Sequence, residues 1–132
     1  MPKYLLNVNY TLEGAKGLLK DGGTVRRKVV DDLVEGLGGK VESFYFCFGK
    51  YDVVVIVDLP DNEAVTAASL TVGAAGAAEV QTTTLLSAAD VDRAVKRRVE
   101  YTAPGAVRRR LAPARAASAA AKPRAAARTK AR

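Results

Sequence analysis

The stretch that decides the fold is FGKYDVVVIVDLP, residues 48–60. Residues 53–57 are five consecutive apolar residues, and Asp58 and Pro60 close the run. Because successive side chains of a strand point to opposite faces, this run places apolar side chains on both faces of a sheet. In one small domain, helices cover only one face of an antiparallel sheet. The pattern therefore predicts that the second face packs against another subunit.

Patterns on both sides of this strand predict the neighbouring elements. Residues 3–11 carry apolar side chains at every second position, which is typical of a strand. Residues 12–22 and 24–37 predict two helices that end at glycines. Residues 41–48 predict a strand that forms a hairpin with residues 53–57.

Helix caps and one more strand complete the predicted order. Thr11, Asp61 and Ser87 each precede a helical stretch and are its predicted N-cap, the last with Asp90 in a capping-box pattern. Residues 78–86 are rich in β-branched residues and predict a strand. Apart from a doubled first helix and an extra last one, the order is βαββαβ. It predicts a ferredoxin-like α+β sandwich with an antiparallel sheet.

Charge divides the 132-residue chain into two parts. Residues 1–100 hold twelve Lys/Arg and fourteen Asp/Glu, a net charge of −2, whereas residues 101–132 hold nine Lys/Arg and no acid, a net charge of +9. The second part is rich in Ala and Pro and has almost no bulky apolar side chain to bury. We therefore predict one folded domain, residues 1–100, followed by a disordered basic tail, residues 101–132.

The cations of this tail predict a polyanionic partner. Nucleic acid would be bound through its phosphates with little sequence preference, because no element is placed to read base edges. The alternative is a solvated extension with no partner of its own. The predicted polyanion-binding residues are Arg108, Arg109, Arg110, Arg115, Lys122, Arg124, Arg128, Lys130 and Arg132.

Composition argues against several classes of site. Histidine is absent, which removes the commonest general base and metal ligand near neutral pH, and we predict neither a cofactor nor a bound metal. Cys47 is the only cysteine, which excludes an intrachain disulfide and fits a reducing compartment; between two phenylalanines it is predicted to be a buried small hydrophobe. The start of the chain lacks the pattern of a signal peptide, and no apolar run is long enough to cross a bilayer. We therefore expect a cytoplasmic protein.

The opening stretch also carries a family resemblance. Gly49, Tyr51 and Asp52, followed by an apolar strand and LPDNEA, resemble the GYD domain family of small bacterial and archaeal proteins. The likeness extends to YTLEG (residues 10–14) and to the TTTLL strand near residue 86. The resemblance implies a ferredoxin-like fold of the dimeric α/β-barrel type, in which sheets pack across a subunit interface. It supplies no catalytic residue, because the family has no established activity.

Five polar residues on the predicted strands form the candidate ligand-binding site: Asn7, Asn9, Tyr10, Tyr51 and Asp52. Asp52 either accepts backbone N–H groups as a structural residue, beside a turn that Gly49 permits, or acts as a proton acceptor or ligand anchor with the two tyrosines as donors. Asn7 and Asn9 share one strand face and either bind a ligand or lie at a subunit contact.

Two clusters of charged residues on the second helix each have a structural and a functional interpretation. The three cations of residues 26–28 lie near its N-terminus, which is the unfavourable end of the helix dipole for a positive charge. They either face solvent or meet an anion. Asp31 and Asp32 are adjacent, so their side chains diverge and form a poor metal site.

Two functions are compatible with these patterns. The first is a non-catalytic homo-oligomeric domain that associates through its sheet and binds nucleic acid or another polyanion through its tail. The second is a small-molecule-binding protein or a cofactor-independent, monooxygenase-like enzyme with a cavity between sheet and helices. A closed apolar cavity with converging polar groups would favour the second function.

Overall fold

The computed structural model describes residues 1–106 of the chain, and its elements follow the predicted order. They form two compact units, Met1–Leu85 and a second that begins at Leu86. The nine predicted polyanion-binding residues lie outside the described part, and the predicted domain boundary near residue 100 stays a prediction. The elements are β1 (Lys3–Tyr10), α1 (Leu12–Asp21), α2 (Gly23–Gly36), β2 (Lys40–Phe46), β3 (Val53–Asp58), α3 (Asn62–Ala74), β4 (Ala78–Leu85) and α4 (Ala88–Val95).

The four strands of the first unit form one sheet in the order β2-β3-β1-β4. Every neighbouring pair is antiparallel, so the predicted α+β class with an antiparallel sheet is confirmed. β1 and β3 lie at the centre of this sheet, while β2 and β4 lie at its edges. Within residues 1–106, no helix has the length and apolar character that a membrane crossing requires.

The core lies between the sheet and the helices of the first unit. Val53, Val55 and Val57 of β3 are at most 3% exposed, because every second residue of the strand points toward the helices. Tyr4 is also buried, and its phenol donates a 2.6 Å hydrogen bond to Asn62 Oδ1, which satisfies its polar end. The N-cap of α3 is Asp61, as predicted.

The start of α1 packs tightly against the segment that leads into β4. Thr11 is the predicted N-cap, and its hydroxyl accepts a 3.2 Å hydrogen bond from the Gly14 N–H and donates one of 2.7 Å to the Gly76 carbonyl. The Thr11 N–H donates to the Ala77 carbonyl at 3.0 Å. A Cβ added to Gly14 would lie 1.9 Å from that same oxygen. The close approach of backbone to backbone therefore requires glycine at this position.

The hairpin between β2 and β3 differs from its prediction in two ways. β2 ends at Phe46, and the left-handed backbone conformation falls on Phe48, at φ 49°, rather than on Gly49. The prediction that Gly49 serves a glycine-requiring turn is therefore wrong. The prediction of a buried Cys47 is also wrong, because this thiol is exposed beside an edge strand and donates to the Tyr51 carbonyl at 3.2 Å.

The second unit contains α4, whose N-terminus is capped as predicted. The Ser87 hydroxyl accepts from the Asp90 N–H at 3.0 Å, and the Asp90 carboxylate accepts from the Ser87 N–H at 2.9 Å. Hydrogen bonds from the Ser87 backbone and side chain, with a smaller contribution from the nearby Arg93, lower the pKa of Asp90. Aspartate thus replaces the usual glutamate of a capping box.

Candidate functional site

A small cavity lies between the sheet and helices α2 and α3. Its volume is about 70 Å³, and its walls are apolar except at Tyr10, Arg26 and Ser69. The Ser69 and Thr82 hydroxyls are hydrogen-bonded to each other at 3.2 Å. Within residues 1–106, neither the Tyr10 phenol nor the Arg26 guanidinium has a hydrogen-bond or ion-pair partner. The cavity is therefore a mainly apolar space whose lining includes Tyr10 and Arg26, two residues with side-chain polar groups that have no partner in the described part of the chain.

The other two cations of α2 are ion-paired along the helix. Arg27 Nε lies 3.3 Å from Asp31, and Lys28 Nζ lies 2.8 Å from Asp32. The hydrogen bond to Asp32 raises the pKa of Lys28. Each aspartate is thus held by a different cation, and in the described part of the chain no group of three or more potential ligands could hold a metal ion.

The opposite surface of the sheet, which we call the open face, carries no helix of the first unit. Its centre is formed by Leu5, Val54 and Ile56, all partly exposed, and by Tyr45, which is 70% exposed. Leu5 lies opposite Ile56, and Val54 lies opposite Tyr45, so the four side chains are cross-strand neighbours. The open face is therefore apolar at its centre, as the run of residues 53–57 predicted.

Asn7 and Asn9 also lie on the open face, because the alternate residues Leu6, Val8 and Tyr10 line the cavity. Asn7 is paired with Val54 on one side and with Gln81 on the other. The two asparagines are thus placed at the open face and not between sheet and helices.

Tyr51 and Asp52 connect the hairpin to the two strands beyond it. Asp52 Oδ2 accepts a 2.8 Å hydrogen bond from the Tyr10 N–H, and the Asp52 N–H donates to the Val8 carbonyl at 2.8 Å. The Tyr51 phenol donates to Gln81 Oε1 at 2.9 Å. Sequence reasoning missed Gln81, which is 30 positions from Tyr51.

The five candidate residues are therefore not brought together in one pocket. Asp52 contacts the backbone of Tyr10, and Tyr51 contacts Gln81, the cross-strand partner of Asn7. Only Tyr10 of the five lines the cavity. Arg26 lines it as well, and it was considered in the sequence only as one member of a cationic run. A ligand-binding role for the five stays a prediction.

Removal of the Asp52 carboxylate should destabilise the fold. Asp52→Ala leaves the Tyr10 N–H without its acceptor, so we expect the free energy of unfolding to fall by about 1–3 kcal/mol, and by less in Asp52→Asn, which keeps an acceptor oxygen. Equilibrium urea unfolding measures the effect, with Asp92→Ala at an exposed position as the control. Equal stability of Asp52→Ala and Asp92→Ala would contradict the structural role and favour a ligand site.

A second polar cluster closes the far end of the open face. Lys3 Nζ lies 2.8 Å from Asp58 and 2.5 Å from Glu42. Two hydrogen bonds raise the pKa of Lys3: the one to the Asp58 carboxylate contributes most, and the one to Glu42 contributes less. One cation is thus shared by two carboxylates at this end of the face, away from its apolar centre.

Comparison with known proteins identifies the family of the chain. The GYD domain family matches residues 4–95, so the chain belongs to the GYD domain family. No curated protein and no solved structure matches the chain significantly.

Proposed function

We propose that this chain is an assembly module, a homo-oligomeric GYD domain in which the open face of one copy packs against the open face of a second. The observation that carries the proposal is the apolar centre formed by Leu5, Tyr45, Val54 and Ile56. Contiguous exposed apolar patches on soluble proteins commonly mark interaction sites. Like faces meet across a two-fold axis in most homodimers, so a self-complementary apolar surface fits a second copy of the same chain.

The strand arrangement supports a ferredoxin-like fold of the dimeric α/β-barrel type. If the consecutive helices α1 and α2 are counted as one helical element, the first unit has the element order βαββαβ. In the sheet of order β2-β3-β1-β4, the helices of the first unit pack on one face, which supports a partner copy on the other. We assign no reaction and no catalytic residue to this assembly.

Sedimentation equilibrium of the full-length chain tests the assembly. We expect a dimer, or a larger even-numbered assembly, at micromolar concentration. A well-folded single copy over the same concentration range would contradict the proposal.

We further propose that the basic tail binds nucleic acid or another polyanion without sequence preference. The support is its charge, nine cations and no acid in residues 101–132. If six or more of these cations contact phosphates, affinity for duplex DNA should fall roughly a thousandfold or more between 50 and 200 mM salt. Fluorescence anisotropy with two unrelated duplexes measures it, and a variant that ends at Glu100 is the control. Equal affinity of the two proteins would refute the role of the tail.

Binding of a small molecule between sheet and helices is a second candidate function, either in a binding protein or in a cofactor-independent enzyme. It is favoured by the apolar cavity and by two of its lining residues, Tyr10 and Arg26, whose phenol and guanidinium have no partner within residues 1–106. Binding of a small neutral probe such as 1-butanol, seen as NMR shifts of the Val30 and Val55 methyl groups, tests this candidate.

A further inference from the structure

Arg26 differs from the two cations that follow it. Arg27 and Lys28 each pair with an aspartate four positions later in the chain. The residue four positions after Arg26 is Val30, and both Arg26 and Val30 line the cavity. Arg26 therefore lines an apolar space, and its guanidinium has no counter-ion within residues 1–106.

The position of Arg26 suits an anionic group at the boundary of the cavity. Arg26 is only partly buried while it also lines the cavity, so its side chain connects the apolar space with solvent. A guanidinium matches the planar geometry of a carboxylate and can bind it through two parallel hydrogen bonds. Tyr10 lines the cavity from the sheet side, and its phenol is a further donor without a partner among the described residues.

The cavity limits the apolar part of the ligand. An apolar cavity of about 150 Å³ holds benzene, so a volume of about 70 Å³ accommodates roughly half as much hydrocarbon. A second charged group inside would be buried without a partner, which is costly, and this argues against dicarboxylates.

We propose that the cavity binds a short-chain monocarboxylate of about three to five carbons, with its carboxylate on Arg26 and its hydrocarbon chain among the apolar side chains of α2, α3 and the sheet. The proposal rests on the second candidate function and adds to it the charge, the size and the anchoring residue of the ligand.

The test compares ligands of equal size and different charge. Full-length protein is titrated with butyrate, 1-butanol and butylammonium at constant ionic strength, and binding is followed by the methyl NMR signals of Val30 and Val55. We expect butyrate to bind about tenfold or more tightly than 1-butanol, since a hydrogen bond to a charged group contributes at least this much. In a series from acetate to octanoate, affinity should be highest at three to five carbons.

Two variants that lose the same charge identify the anchor. Arg26→Gln should weaken butyrate binding roughly ten- to a hundredfold and should affect 1-butanol binding much less, because a hydrogen bond to a neutral hydroxyl contributes less than one to a carboxylate. Lys28→Gln removes a cation two positions away that is paired with Asp32, so butyrate affinity should stay within about twofold of the original. Thermal unfolding of both variants verifies that the fold is kept.

The outcomes separate this inference from the function on which it rests. If 1-butanol and butyrate bind equally well, or if Arg26→Gln and Lys28→Gln weaken butyrate to the same extent, the carboxylate site is overturned while small-molecule binding in the cavity stands. If neither ligand shifts Val30 and Val55 at millimolar concentration, both the inference and the second candidate function fail.

Discussion

Gly14→Ala should destabilise the protein by about 2–3 kcal/mol, although it replaces glycine by the best helix former inside a helix. The added Cβ would lie 1.9 Å from the Ala77 carbonyl oxygen and 2.9 Å from the Tyr10 ring. The Ala77 oxygen cannot withdraw freely, because it accepts the hydrogen bond of the Thr11 N–H at 3.0 Å. The methyl group that Gly14→Ala adds would therefore force α1 away from the segment before β4.

Gly17 provides a matched control in the same helix. A Cβ at Gly17 meets no atom within 4 Å, so Gly17→Ala should raise stability by up to about 1 kcal/mol. Equilibrium urea unfolding at one fixed protein concentration compares the two variants, since concentration affects the apparent stability of an oligomer. A Gly14→Ala protein that is as stable as Gly17→Ala would show that the backbones at Gly14 and Ala77 can move apart at little cost in stability.

Leu5→Glu should dissociate the proposed assembly. Leu5 lies at the centre of the open face, opposite Ile56, and a two-fold interface carries the substitution twice. An unpaired carboxylate buried at such a contact costs several kcal/mol, so we expect dimer affinity to fall roughly a hundredfold or more. Sedimentation equilibrium measures the change in mass.

Leu19→Glu is the corresponding control on α1. Leu19 is 89% exposed, so the same chemical change there should leave the mass unaltered. Circular dichroism distinguishes a dissociated but folded Leu5→Glu chain from an unfolded one. If Leu5→Glu and Leu19→Glu proteins have the same mass as the original, the open face is not the interface.

Features determined by neighbouring residues were predictable from the sequence. The caps at Thr11, Asp61 and Ser87 each depend on contacts three positions apart, and all three were predicted. The alternation in β1 likewise predicted one apolar face, and the apolar run in β3 predicted apolar side chains on both faces. The antiparallel α+β class follows from these local signals.

Features that depend on distant contacts were not predictable. The hydrogen bond from Tyr10 to Asp52 joins residues 42 positions apart, and no local pattern indicates it. Phe48 adopts the left-handed conformation although a glycine follows it, and Cys47 is exposed beyond the end of the edge strand β2.

Arg26 is an intermediate case, because a local signal existed and was not used. Salt bridges on helices join residues four positions apart. Applied to residues 26–28, this rule pairs the second and third cations with Asp31 and Asp32 and leaves the first beside Val30. The rule would therefore have indicated a cation on the apolar side of α2.

The central position of β1 has a consequence for synthesis of the chain. β1 is made first, but its two neighbours are β3 and β4, and the last of these ends at Leu85. Until then, the nascent polypeptide carries an apolar strand with at least one unpaired edge, which is prone to pairing with other chains. Translation pauses before β4 has left the ribosome should therefore favour aggregation, whereas pauses after that point should be harmless.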